Sequence, residues 1–170
     1  MSSTQLRERI AALRADAREV GELLAQQASS MTSEELFEVT GELQGVQNCA
    51  EGAQLVAAAH AASYETRLTE RGPVEVHHQV GFIDAMAGTE VSLATGVGQW
   101  GASRRVALGA AAVSRFPRLL RKVIDGDLAA ATVQKVVSVC EGLDAEACAK
   151  VEAALVGRIA DVDPGRVAAF

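Results

Sequence analysis

At 170 residues, with 49% hydrophobic content and a net charge of −6, the chain is long enough to bury a core without disulfide staples. No stretch approaches the roughly 18 apolar residues of a membrane span and no apolar leader follows a basic start, so neither membrane insertion nor secretion is expected. Cys49, Cys140 and Cys148 are odd in number and lack C-x-x-C spacing, the usage of free thiols in a reducing cytoplasm, and 4% aromatics with 3 prolines favour an all-α fold.

From Gln5 to about Ala28, Leu6, Ile10, Leu13, Val20 and Leu24 recur at helical spacing with Arg and Glu opposite, predicting an amphipathic first helix. Ser29 and Ser30 break it, and Thr32 with Glu35 forms a capping box that opens a second helix. This second segment runs without proline from Ser33 to Arg71 and stops at Gly72-Pro73, which predicts one long helix. Leu36, Val39, Leu43 and Val46 lead into an alanine-rich half. Ala50, Ala53, Ala57 and Ala61 let another helix approach closely, so residues 1–72 are expected to form a helical hairpin that also serves as a candidate dimerisation element. Glu34, Glu35, Glu38 and Glu42 at the helix start suit its dipole and read as a solvated face.

After Pro73, Val74, Val76 and Val80 alternate with Glu75, His77 and Gln79, the pattern of a short strand or an extended linker; a linker is expected. Helical patterning resumes at Phe82, Ile83 and Met86. Residues 73–170 are then expected to form a bundle of short helices separated at Gly96 to Gly98, Phe116-Pro117, Asp125-Gly126 and Gly142 to Asp144. Cys140 falls at helical spacing from Val133, Val136 and Val137 and reads as core. Asp144 opens a helix carrying Val151, Leu155 and Ile159. Asp163-Pro164 supplies an N-cap with proline at the first helical position, and the helix it opens is cut short, as in a truncated chain.

Charge is segregated along the chain. Val91 to Ile124 holds six basic residues and no acid, between acidic segments. Across its start, Glu90 to Thr95 reads as a helix, Gly96-Val97-Gly98 as a turn and Gln99 onward as a second helix, the grammar of a helix-turn-helix. Gly96 can take the left-handed turn conformation and Val97 would plug the core behind it. A helical wheel puts Ala102, Val106, Gly109 and Val113 on one buried stripe. Trp100, Ser103, Arg104 and Ala107 then face outward, flanked by Gln99 and Arg105. Gln99 and Arg104 suit base edges; Arg115, Arg118, Arg121 and Lys122 suit phosphates. Ser92, Thr95, Gly98 and Gly101 depart from the strongest examples of the motif, and a solvated basic face on a structural bundle is the competing reading. Trp100 fits either a DNA-facing position or, in a shifted register, the core.

Over most of its length the chain resembles the actinobacterial domain of unknown function found N-terminal to HNH endonuclease modules, the thirteen-E-twelve repeat family. The strings are Glu90 to Val97, Ala102-Ser103-Arg104-Arg105-Val106-Ala107-Leu108, Phe116-Pro117, Asp125-Gly126-Asp127-Leu128, Leu143-Asp144-Ala145-Glu146 and Val162-Asp163-Pro164-Gly165. The turn is also similar to the helix-turn-helix of ParB-type partition proteins. The resemblance implies a DNA-binding, target-positioning domain whose partner is double-stranded DNA, followed by a metal-dependent nuclease module that this chain lacks. A divalent metal is expected only for that module.

Other chemistries find less support. His77 and His78 are adjacent, with no cysteine or acid at ligand spacing, and read as solvated. The cysteines have no local histidine base and read as buried structure. The glycines match no phosphate-binding loop, and no small-molecule substrate is evident. The chain is expected to carry no complete active site. The second functional reading is a helical interaction or dimerisation module without direct DNA contact.

Overall fold

A computed structural model of the chain describes residues 2–158. It separates into two compact units, Met1–Leu43 and Gln44–Phe170. The expected helix start at Asp163-Pro164 lies outside the described residues.

In the first unit, helix α1 spans Ser3–Gln27 and opens on a reciprocal cap, the Ser2 amide donating to Gln5 Oε1 (2.9 Å) and the Gln5 amide to Ser2 Oγ (3.3 Å). A short 3-10 turn, Ala28–Ser30, leads to helix α2, Ser33–Ala62. The predicted capping box opens it: the Thr32 amide donates to Glu35 Oε2 (2.7 Å) and the Glu35 amide to Thr32 Oγ1 (3.3 Å). These bonds to Thr32 hold the Glu35 carboxyl below its usual range. No residue of α1 is buried.

The fold is not all-α. The second helix ends at Ala62, nine residues short of Arg71, and a β-hairpin follows: β1, Tyr64–Thr69, pairs antiparallel with β2, Gly72–His77. Ser63 ends the helix. Its amide and hydroxyl both donate to the His60 carbonyl (3.1 and 2.7 Å), and the carbonyls of Ser63 and Ala62 accept from the His78 and Asp84 amides (2.8 and 2.9 Å). The returning chain thus satisfies carbonyls that a helix end leaves orphaned. Tyr64, Thr66, Thr69, Val74 and Val76 are strand formers, and Pro73 is tolerated because a two-stranded ribbon consists of edges. At the base of the hairpin the Tyr64 and His77 rings stack at 4.5 Å, His78 stacks on Phe82 at 3.9 Å, and Glu65 binds both His78 (2.7 Å) and Arg67 (2.8 Å). The expected linker is therefore strand up to His77, and helix resumes at Ala87 rather than Phe82.

The bundle comprises α3 (Ala87–Thr95), α4 (Gln99–Arg115), α5 (Pro117–Ile124), α6 (Ala130–Val139) and α7 (Ala145–Val156). Its breaks fall where the glycines and proline placed them. Gly96, Gly126 and Gly142 take positive φ, and Asp144 caps α7 by accepting from the Ala147 amide at 2.8 Å. One core cluster joins Leu55 of α2 to Phe116, Leu119, Val123, Val133 and Val136 and includes both Cys140 and Cys148. A smaller one seats α3 and α4 on the end of α2 through Ala58, Ala62, Ala87 and Val106. Among the described residues no helix is long and apolar enough to cross a membrane.

Candidate nucleic-acid interface

The α3 and α4 helices meet through Gly96-Val97-Gly98, with Gly96 left-handed at φ 71°. Side chains that depart from the strongest motif organise this turn. Ser92 Oγ donates to the Val97 carbonyl (2.7 Å), and Thr95 Oγ1 donates to the Val91 carbonyl (2.7 Å) while accepting from the Val97 amide (3.4 Å). A Cβ on Gly101 would stand 2.9 Å from Val97 Cγ1, so this glycine makes room for the plug. Ala102, Val106 and Gly109 are buried, as the wheel predicts, whereas Val113 is half-buried and Ala110 and Ala112 extend the buried face.

The opposite side of α4 begins with Trp100, 72% exposed. The Arg104 guanidinium lies over its ring, 4.4 Å from the centroid. Such stacking holds a long cationic side chain without using its hydrogen-bond donors. Trp100, Arg104 and the half-buried Arg105 line one open cleft of about 280 Å³ with Glu51 and Leu55 of α2 and Gln134 of α6. Among the described residues neither Arg104 nor Arg105 has an ion-pair partner.

The remaining expected contact residues divide by what they already bind. Gln99 Nε2 donates to Thr89 Oγ1 (2.9 Å), and Ser103 packs directly against Gly88, so both tie α4 to α3. One terminal nitrogen of Arg115 donates to the carbonyls of Cys140 (2.8 Å) and Leu143 (3.2 Å) and to Cys148 Sγ (2.9 Å), fastening α4 to the end of α6 and the start of α7. On α5, Arg121 pairs with Asp125 (3.0 Å) and Lys122 with Asp127 (2.9 Å), which raises the Lys122 pKa. Arg118 is exposed, its side chain unpaired among the described residues. The amides of Arg118 and Leu119 donate to the buried carboxylate of Glu152 (2.7 and 3.0 Å), which caps α5 from α7. Glu51, Gln134 and Glu152 had no sequence signal, because each comes from a distant helix.

His77 ends β2 rather than lying in a linker, and His78 follows it, held to Glu65. Among the described residues no cluster of three or more His, Cys, Asp or Glu is placed to hold a metal. Cys140 and Cys148 are buried and Cys49 half-buried, all three free, and burial pushes the Cys140 thiol pKa up. Comparison with known proteins finds no matching family model, no matching curated protein and no matching solved structure.

Proposed function

We propose that this chain is the non-catalytic DNA-binding, target-positioning domain of a cytoplasmic HNH endonuclease-like protein, with α3 and α4 as its helix-turn-helix. The observation that carries the reading is the Arg104 guanidinium stacked on the exposed Trp100 at the start of α4, beside Arg105, in a segment with no acidic residue from Val91 to Ile124. A recognition helix meets base edges with its N-terminal residues, and a guanidinium fork suits the acceptor pair of guanine in the major groove.

Roles follow from what each side chain already binds. Arg104 and Arg105 with Trp100 contact double-stranded DNA directly. Gln99 and Ser103 set the seating of α4 on α3. Among the described residues the Arg118 side chain is unpaired and available to phosphate, and Arg121 and Lys122 join it by exchanging their aspartate partners, since exposed ion pairs of this kind are weak. Arg115 is engaged within the bundle and is not assigned to DNA. Cleavage, and the divalent metal it needs, belongs to a nuclease module, in keeping with the thirteen-E-twelve resemblance. Duplex binding followed by fluorescence anisotropy across a salt series tests the reading, since phosphate contacts make affinity fall steeply with salt.

A further inference from the structure

Helix α1 carries a strict heptad. Leu6, Ile10, Leu13, Ala17, Val20 and Leu24 alternate in steps of four and three, the period of a coiled-coil seam. Most of this stripe is uncovered: Leu24 is half-buried, the other five residues are exposed, and Leu13 is 66% exposed. Helix α2 carries a second heptad, Leu36, Val39, Leu43, Val46, Ala50, Ala53 and Ala57. The bundle packs on the other side of α2, through Asn48, Gly52, Leu55, Ala59 and Ala62. On a helical wheel those residues lie opposite the heptad stripe. Val46 is accordingly 58% exposed, and Ala50, Ala53 and Ala57 are exposed beside it.

We infer that the protein forms a homodimer in which α1 of each copy lies parallel along the heptad face of α2 of the other. The register sets Leu6 against Val39, Ile10 against Leu43, Leu13 against Val46, Ala17 against Ala50, Val20 against Ala53 and Leu24 against Ala57. Side chains flanking such a seam pair across it five residues apart in register. Here that brings Arg7 to Glu35, Arg14 to Glu42, Arg9 to Gln47 and Asp16 to Gln54, with Leu23 against Ala61 and no like charges facing. The antiparallel alternative within one chain sets Leu6 against Ala57 and Leu13 against Ala50. It turns Arg9 toward Val56 and Leu23 toward Glu42 and forms no ion pair.

One chain cannot make the parallel pairing with itself. Leu24 would have to reach Ala57, about 36 Å along α2 from its start, whereas the five residues between the helices span at most about 18 Å. The partner is therefore a second copy. The far end of the stripe borders α3 and α4, where Gln54, Ala57 and Ala61 share a cleft with Val91, Ala94, Thr95 and Arg105, whereas Trp100 and Arg104 line the other cleft; the inference itself rests on the two heptads and not on the DNA reading.

Sedimentation or light scattering of the full chain at low salt reads the outcome. Arg14→Glu and Glu42→Arg are chosen because Glu35 also closes the α2 cap. Each variant alone is expected to dissociate about tenfold or more readily than the wild type, by exchanging attraction for repulsion at both seams. An equimolar mixture of the two variants, or one chain bearing both changes, is expected to regain wild-type dimerisation. In a Cys49→Ser background, Leu13→Cys with Val46→Cys should oxidise to a covalent dimer. A monomeric wild type, a dimer indifferent to the charge changes, or intrachain closure of Leu13→Cys with Ala50→Cys overturns the inference.

Discussion

Gly109 of α4 lies directly on the Leu55 carbonyl of α2, with no space for a Cβ. This contact brings α4 and α2 to backbone distance, so the absence of a side chain at Gly109 is what lets α4 seat. Gly109→Ala should destabilise the protein by about 1–3 kcal/mol through overpacking, despite a helix-propensity gain of about 1 kcal/mol. Gly21→Ala on α1, with nothing within 4 Å, should stabilise its helix by about 0.5–1 kcal/mol. Thermal unfolding of the two variants should move in opposite directions.

Glu152 is 5% exposed and accepts from two amides at the start of α5. Removing the carboxylate leaves the buried Leu119 amide unsatisfied, at a cost of about 1–3 kcal/mol, and the part-buried Arg118 amide without its acceptor. Glu152→Ala should therefore lower the denaturation midpoint markedly, and Glu152→Gln, which keeps an acceptor, should recover part of the loss. Equal stability of Ala, Gln and wild type would refute the capping role.

Arg115 and Arg118 look alike in the sequence and differ in the structure. Arg115→Ala strips donors from the Cys140 and Leu143 carbonyls and from Cys148 Sγ. It should lower stability by about 1–3 kcal/mol and speed labelling of the buried thiols. Arg118→Ala should leave stability within about 0.5 kcal/mol of wild type and, if DNA binds as proposed, shallow the salt dependence by about one phosphate contact. Thiol-labelling kinetics beside duplex titrations separate the two.

Hydrogen bonds from Arg67 and then His78 depress the Glu65 pKa from its ordinary 4.5 to about 2. A depressed folded-state value means the ionised carboxylate supports the hairpin fully above about 4.5, and that support is lost as pH falls through about 2. Amide exchange of β1 and β2, followed by NMR against Glu65→Gln, should show hairpin protection in the wild type that declines only below about 4.5. A Glu65 carboxyl titrating near 4.5 would contradict the contact.

The bundle was legible in the sequence because its boundaries are chemical: Gly96, Gly126 and Gly142 take positive φ, Pro117 starts α5 and Asp144 caps α7. The hairpin was not. Ser63 stops α2 without a glycine or proline, and Glu65, Arg67, Glu70 and Arg71 suit a solvated helix as well as an exposed ribbon. The wheel placed Trp100 and Arg104 on the outer face of α4 correctly. It could not show that Arg115 meets carbonyls 25 and 28 residues later, since only tertiary packing brings α6 to it.

The most direct test of the functional account is anisotropy of labelled duplex DNA with the full chain and with Arg104→Ala plus Arg105→Ala, across a salt series. Wild-type binding should fall steeply with salt, and a double variant that remains folded by circular dichroism should bind at least about tenfold more weakly. No binding at low salt, or equal binding by both proteins, would contradict it.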